Sequence, residues 1–198
     1  MPSIAAHMAL AKIVSDKLDI KHDDFIRGNL LPDIIKLEDS HYKIKGRNFM
    51  IPDIEYFKKF FNLEDELYFG YYTHLLLDKC FLEEYVPDEI GNLNIFKTKI
   101  IYDDYSKINK KLVDEFNLDV NYLKEVLKDY KQEVYTNKLN YNLNCLLNNN
   151  LEKTECINDT EFIKFIYIVS DRIVKENLNE SKYSKLYIYS RKWKKWKY

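Results

Sequence analysis

Few residues in this 198-residue chain are of the kinds that interrupt helices or close tight turns. The chain has only 4 glycines and 4 prolines, whereas folds made of strands alone need many turns and form them with these residues. The shortage argues against an all-β fold and favours long helices. Hydrophobic residues make up 46% of the chain, which is enough for one well-filled core and argues against disorder.

Cysteine, excess charge and long apolar runs are scarce as well. The cysteines, Cys80, Cys145 and Cys156, are unclustered, which is typical of reduced thiols in a cytosolic protein. A formal net charge of -1 gives no general attraction to nucleic acid, so we expect no specific nucleic-acid binding. No run approaches the roughly 20 apolar residues that span a bilayer, and we see no signal peptide. We therefore expect a cytoplasmic protein, and the many Lys, Asn, Ile and Tyr residues suggest an AT-rich, bacterial genome.

Apolar residues recur at helical spacing along most of the chain, which predicts an all-α fold, a multi-helix bundle. We find no internal repeat and expect a single domain, 1–198, in which residues 1–130 form the helical core and residues 131–198 add further helices. Start and stop signals predict helices over about 4–18, 54–61, 66–86, 102–116, 120–130 and 160–178. The stretch 90–101 is ambiguous between a loop and a short extended piece.

His74 and Asp78 lie four positions apart within the apolar helix predicted around Tyr68–Leu82. This spacing places an imidazole and a carboxylate on one helix face, about 6 Å apart along the axis, which is close enough to bind one metal ion. A buried carboxylate without a partner costs several kcal/mol, so Asp78 needs a cation or a hydrogen bond. A metal site and a simple hydrogen-bonded pair both fit these two residues alone.

Three further residues with metal-binding side chains precede this pair. Asp33 follows Pro32, whose ring disfavours helix at the preceding residue, so we expect a stiff turn that holds Asp33 rigidly. An N-cap role explains Asp33 equally well. His41 lies in a polar loop and His7 at the edge of the first helix's apolar stripe, where each alone would be an ordinary surface or boundary residue. Together with the helix pair, they offer the imidazole and carboxylate donors that zinc takes, enough for one or two ions.

The order of these residues resembles that of the zinc-dependent phospholipase C family, a fold relative of the single-strand-specific zinc nucleases. The resemblance covers about residues 1–130 and rests on His7, Gly28, Pro32-Asp33, Ser40-His41-Tyr42, Gly70, Thr73-His74 and Asp78. It implies an all-α bundle and a hydrolase of phosphate esters, such as a phospholipid headgroup, in which a metal-activated water attacks phosphorus. The ligands that it implies are Asp33, His41, His74 and Asp78, with Asp33 as a bridge, and His7 on a second ion. Asp33 or Asp78 would act as general base.

The chain departs from this family after the helix pair. Members with three zinc ions have two more histidines and a glutamate in an H-x-x-x-E pair, whereas no histidine follows His74 here. We therefore expect one or two ions, zinc or another divalent metal. Two alternatives stay open: a helical protein of the same fold that binds a metal without catalysis, and a metal-free helical interaction protein.

Two other segments carry polar residues whose role the sequence leaves open. Asp103 and Asp104 are candidates either for a replacement ligand or for a helix N-cap. Basic and aromatic residues interleave over Arg191–Tyr198, a pattern that predicts weak contact with an anionic membrane surface. A solvated helix end whose tryptophans pack back is the simpler interpretation of the same tail.

Overall fold

Helices account for most of the chain that the computed structural model describes, which comprises residues 2–21, 23–35, 38–46, 49–91, 94–126 and 152–194 together with positions 141, 144 and 146. The helices are α1 (Ile4–Leu18), α2 (Asp23–Ile34), α3 (Ile54–Phe60), α4 (Glu66–Cys80), α5 (Ile95–Glu115), α6 (Val120–Val126) and α7 (Asp159–Lys194). The mainly helical class predicted from the sequence is confirmed. None of the described helices combines the length and apolar character that crossing a membrane requires.

A short antiparallel hairpin is the one departure from helix among the described elements. Its strands, β1 (Lys43–Lys45) and β2 (Met50–Pro52), pair with Ile44 opposite Ile51. The hairpin was not predicted, because strands of three residues are too short to show alternation. The hairpin follows the turn that carries His41 and leads into α3.

Helix α1 lies at the centre of the bundle, in contact with α2, α4, α5 and α7. It begins as predicted, because the Ser3 side chain accepts a hydrogen bond from the Ala6 N–H at 3.4 Å. All residues from Ile4 to Ala11 are buried, so the helix has no solvent-facing side in its first two turns. His7 is therefore in the core rather than at the edge of an apolar stripe.

Helices α2 and α4 pack backbone against backbone where two glycines meet. A β-carbon added at Gly28 would lie 1.8 Å from the Leu67 carbonyl oxygen, and one added at Gly70 would lie 2.0 Å from the Phe25 carbonyl oxygen. Only glycine leaves room for this contact. The close approach brings the backbone of α2 within reach of side chains one turn further along α4, including His74.

Pro32 lies inside α2, so the predicted stiff turn before Asp33 is wrong. Helical hydrogen bonding continues past the proline, with the Ile35 N–H donating to the Leu31 carbonyl at 2.8 Å. Proline disfavours helix at the residue before it, but burial of the apolar residues around Pro32 outweighs this preference. Tertiary packing commonly overrides local propensity in this way. Asp33 therefore lies in the last turn of α2 and is not its N-cap.

Three predicted helix boundaries also differ from the structure. Helix α7 runs to Lys194, well past the end predicted near Leu178. Helix α4 continues through a π-helical segment, Phe81–Ile90, beyond the end predicted near Val86. Helix α5 begins at Ile95, capped by the Asn94 side chain, which accepts from the Lys97 N–H at 2.9 Å. Most of the stretch that was ambiguous in sequence is therefore helical. The predicted helix 120–130 is present as α6, and its remainder lies outside the described residues.

Asp104 anchors the segment that leads into α7. It is fully buried in the middle of α5, and its carboxylate accepts the backbone N–H groups of Glu155, Cys156 and Ile157 at 2.9, 2.7 and 2.9 Å. These bonds satisfy the carboxylate, so the structure supports neither a ligand role nor an N-cap role for Asp104. The side chains of Arg191–Tyr198 lie outside the described residues, and weak membrane contact through them stays a prediction.

Candidate metal centre

The structure brings the predicted ligand residues together from four parts of the fold. His7 comes from α1, Asp33 from α2, His41 from the turn before β1, and His74 and Asp78 from α4. Donor atoms within 4.8 Å of one another form two overlapping groups, one of His7, His74 and Asp78 and the other of Asp33, His41 and His74. Segments far apart in sequence thus supply one compact set of imidazole and carboxylate donors.

Four donor atoms, Asp33 Oδ1, His41 Nε2, His74 Nε2 and Asp78 Oδ2, lie close to one another through the two imidazoles, and we name them the four-donor cluster. The two Nε2 atoms are 3.3 Å apart. His41 Nε2 lies 3.4 Å from the Asp33 oxygen and 3.5 Å from the Asp78 oxygen. His74 Nε2 lies 3.9 Å and 3.5 Å from the same two oxygens.

These separations fit a metal ion better than direct hydrogen bonds. A charge-assisted N–H···O bond is about 2.7–2.9 Å long, which is shorter than every distance in the cluster. Zinc takes four donors at about 2.0–2.1 Å, and the edge of such a tetrahedron is about 3.3–3.4 Å. Four of the five measured separations are 3.3–3.5 Å. The two imidazole nitrogens, and most of their pairs with the carboxylate oxygens, therefore stand at nearly the spacing of neighbouring ligands of one zinc ion.

Hydrogen bonds to the outer nitrogens determine which imidazole nitrogens face the cluster. The Asn29 carbonyl oxygen lies 2.7 Å from His74 Nδ1, and a carbonyl can only accept, so that nitrogen carries a proton. The Ser40 hydroxyl donates to the Pro32 carbonyl at 2.7 Å and lies 3.1 Å from His41 Nδ1. Because its only proton is already used, the hydroxyl accepts from His41. Each neutral imidazole therefore directs an Nε2 lone pair inward, as metal-binding histidines do.

His7 adds a position beside the four-donor cluster. Its Nε2 lies 3.4 Å from Asp78 Oδ1, the carboxylate oxygen that is not part of the cluster. The His7 ring stacks on that of His74, with centroids 3.6 Å apart and an interplanar angle of 8°. Both ring nitrogens of His7 and both Asp78 oxygens are buried without a hydrogen bond. Such atoms cost about 1–3 kcal/mol each, and a cation between these two residues would satisfy His7 Nε2 and Asp78 Oδ1.

Burial and mutual attraction determine the charges of these groups. Burial lowers the pKa of His7, and neighbouring His74 lowers it further. Burial opposes the ionisation of both acidic residues, yet neighbouring imidazoles hold the pKa of each carboxyl below its usual value. For Asp78 these are His74 and His7, and for Asp33 they are His74, His41 and His7. The same two carboxylates outweigh the cost of burial at His74 and raise its pKa. Both carboxylates are thus ready to bind a cation, and His74 is where protons compete for the site.

Only one side of the site reaches solvent among the residues described. His7, His74 and Asp78 are fully buried, whereas the side chains of His41 and Asp33 are 10% and 19% exposed. Water or a small ligand would therefore approach past Asp33. The predicted surface exposure of His41 is wrong, because the turn that carries it packs against α2 and α4 through Ser40 and Tyr71.

From the sequence alone we predicted no hydrogen-bonding role for the residues that hold the ligands in place. The Asn29 side chain donates to Thr73 Oγ1 at 2.8 Å, and that hydroxyl donates to the Gly70 carbonyl at 2.7 Å. The Tyr71 hydroxyl donates to the Ser40 carbonyl. The sequence contains one indication of these contacts: a residue with a hydroxyl group directly precedes both His41 and His74. The Asn29 carbonyl left no signal, since every residue has one.

No protein-family model, curated protein or solved structure matches this chain. Membership of the zinc-dependent phospholipase C family therefore stays a prediction from the order of the motif residues. The spacing of the donors, their tautomers and their burial support a metal centre.

Proposed function

We propose that this protein is a metal-dependent hydrolase of phosphate esters that binds one or two divalent ions, zinc by preference. The observation that carries the proposal is the spacing of 3.3–3.5 Å between most donors of the four-donor cluster. Two imidazole nitrogens and two carboxylate oxygens suit zinc, whereas magnesium and calcium prefer shells made of oxygen alone. The substrate class, a phosphate ester or a phospholipid headgroup, is supported by the resemblance in motif order.

Two ions would take different ligand sets in this geometry. The four-donor cluster would supply the ligands of the first ion. A second ion would have His7 and Oδ1 of Asp78, so that Asp78 would bridge the two positions. With only these two protein ligands among the described residues, the second position would leave room for water and for the oxygens of a phosphate group.

Each of the two acidic residues has a distinct part in this proposal. A bound divalent ion lowers the pKa of a coordinated water towards about 7 and offsets negative charge on the phosphoryl oxygens. Both oxygens of Asp78 face imidazoles, so Asp78 serves mainly to hold the ions. Asp33 is partly exposed and ionised, so it is the better placed of the two to accept a proton from the attacking water.

A metal-binding protein without turnover is the second candidate. A closed shell of four protein ligands is typical of structural zinc sites, whereas catalytic sites keep an open position. Complete burial of His74 and Asp78 favours this candidate as well. In the hydrolase the position beside His7 takes part in catalysis, whereas in the non-catalytic protein it does not.

Metal analysis and a hydrolysis assay test these candidates together. We expect protein purified without chelator to contain zinc or another divalent metal and to hydrolyse a chromogenic phosphodiester or a phosphorylcholine ester. Asp33→Asn should lose activity and Asp78→Asn should lose both activity and metal. Asp103→Asn is the matched control, because Asp103 is exposed and pairs with Lys107.

The outcomes separate the candidates clearly. A stoichiometric metal with no hydrolysis of either ester would reject the hydrolase and favour the non-catalytic site. Absence of metal, together with no effect of His74→Ala on stability, would reject both and leave the metal-free interaction protein.

A further inference from the structure

Ser40 makes hydrogen bonds to three parts of the fold that carry metal ligands. Its side chain donates to the Pro32 carbonyl at 2.7 Å and accepts from His41 Nδ1, 3.1 Å away. Its own carbonyl accepts a hydrogen bond from the Tyr71 hydroxyl of α4. Ser40 is 6% exposed, so water does not readily replace these bonds.

The bond to Pro32 acts on Asp33, the next residue along the chain. Carbonyl groups in the last turn of a helix lack an intrahelical partner, and the Ser40 hydroxyl supplies one for Pro32. Because that carbonyl belongs to the peptide joining Pro32 to Asp33, its orientation sets the direction in which Asp33 leaves the backbone. The hydroxyl thereby restrains the carboxylate that faces His41 at 3.4 Å.

The hydrogen bond from His41 to the Ser40 hydroxyl determines which ring nitrogen of His41 carries the proton. With its proton directed to Pro32, the Ser40 hydroxyl can only accept from His41 Nδ1, which leaves the Nε2 lone pair for the four-donor cluster. Without the hydroxyl, His41 loses this partner, and the imidazole is free to rotate or to move its proton to Nε2. A single oxygen atom therefore restrains two neighbouring donors.

The third bond fixes Ser40 itself. Tyr71 lies three residues before His74 on α4. Burial raises the pKa of Tyr71, so its hydroxyl stays protonated and remains a donor. The turn with Ser40 is thereby held against the helix that provides the other two donors of the cluster, His74 and Asp78.

From these contacts we propose that Ser40 is a positioning residue of the metal centre, which sets the geometry of His41 and Asp33 by directing one hydroxyl between them. The inference rests on the metal site of the proposed function and does not depend on hydrolysis. It differs from the support of His74, whose partner is the Asn29 backbone carbonyl and cannot be removed by a side-chain substitution.

Zinc affinity of the purified protein tests this role. We expect Ser40→Ala to weaken zinc binding about 10–100-fold, the usual effect of removing an outer partner of a ligand, as measured by competition with a chromophoric chelator. The visible spectrum of the cobalt-substituted protein should change as well, because the arrangement of its donors changes. Ser40→Thr keeps the hydroxyl and should stay closer to the wild type in both measurements.

Two further variants separate positioning from general damage to the fold. Ser106→Ala is the control, because the Ser106 hydroxyl also donates to a carbonyl at 2.7 Å, that of Asp103 in α5, and should leave zinc affinity unchanged. Tyr71→Phe removes only the hydroxyl that holds Ser40 and should weaken zinc binding in the same direction. It keeps the inference testable if Ser40→Ala does not fold, as judged by circular dichroism of the metal-free protein.

The outcomes distinguish this inference from the proposed function. Equal zinc affinity and equal cobalt spectra for wild type and Ser40→Ala would overturn the positioning role while the metal site stands. A wild type that binds no zinc or cobalt would overturn the inference and the metal centre together. A weakened Ser40→Ala variant alongside a wild type that hydrolyses no ester would support the inference and reject only the hydrolase.

Discussion

Replacing Gly70 with alanine perturbs the contact that brings α2 and α4 together. The added β-carbon would lie 2.0 Å from the Phe25 carbonyl oxygen and 2.9 Å from the Asn29 nitrogen, both backbone atoms. Backbone atoms cannot rotate aside as a side chain does. The contact must open from 2.0 Å to at least 3.0 Å, the shortest approach that real β-carbons show, which is a local separation of about 1 Å in a close-packed core.

This separation affects stability and the metal centre to different degrees. Overpacking costs about 1–3 kcal/mol, and the better helix propensity of alanine returns about 1 kcal/mol, so we expect the free energy of unfolding to fall by up to about 2 kcal/mol. The bond of 2.7 Å between His74 Nδ1 and the Asn29 carbonyl crosses the same interface. Its loss, together with displacement of Asp33 from Asp78, should weaken zinc binding about 10–100-fold.

Chemical denaturation and a zinc competition assay measure the two effects, with Gly91→Ala as the matched control. Gly91 has a φ of 74°, and an added β-carbon there would meet nothing within 4 Å. Alanine at that position should cost about 1–3 kcal/mol through backbone strain alone, because its ψ of -145° lies outside the left-handed helical region, and should leave zinc affinity unchanged. If Gly70→Ala bound zinc as tightly as the wild type, the inference that the glycine contact aligns the metal ligands would be refuted.

Three other perturbations test separate parts of the structure. Zinc at 100 times its dissociation constant should stabilise the folded protein by about 2.7 kcal/mol, raising its thermal midpoint, and an equal rise in His74→Ala would contradict the site. Asp104→Asn should cost about 2–4 kcal/mol because it weakens charge-assisted bonds to buried backbone groups without changing zinc affinity, and a similar cost in exposed Asp103→Asn would contradict this account. Arg172 bonds both carboxylate oxygens of Glu84 at 2.6 and 2.9 Å and lowers the Glu84 pKa. The stability that this ion pair contributes is therefore present above the unfolded pKa of Glu84, about 4.3, and is lost as pH falls through the lower pKa of Glu84 in the folded protein. Both side chains are exposed by more than a third, so the ion pair should contribute less than about 1 kcal/mol to the free energy of unfolding. A larger difference between wild type and Glu84→Gln in urea unfolding at pH 7 would contradict this estimate.

The parts of the fold that depend on neighbouring residues could be predicted from the sequence. The start of α1 at Ser3 and that of α3 at Asp53 follow from capping side chains within three residues of their partners. The helical course through Pro32 could not be predicted, because it depends on burial against elements distant in sequence. The same holds for Asp104, whose hydrogen-bond partners lie about fifty positions further along the chain.

The candidate site divides in the same way. Residue type and the spacing of His74 and Asp78 identified the donors, because a separation of four places two side chains on one helix face. The tautomer of His74 could not be predicted, since it is set by the backbone carbonyl of Asn29 across a helix crossing. The exposure of His41 was predicted wrongly. The polar residues around it suggest a surface loop, but contacts with residues distant in sequence bury the turn that carries it.

The spread of the donors along the chain has a consequence for folding. An ion bound between them would join α1, α2, the turn at His41 and α4, from residue 7 to residue 78, and could form its full set of bonds only after these segments had docked. Zinc uptake during refolding should therefore lag behind helix formation and report the completion of the core. The ion would thus stabilise the N-terminal half only at the end of folding. A chelator would first increase the rate at which this half unfolds.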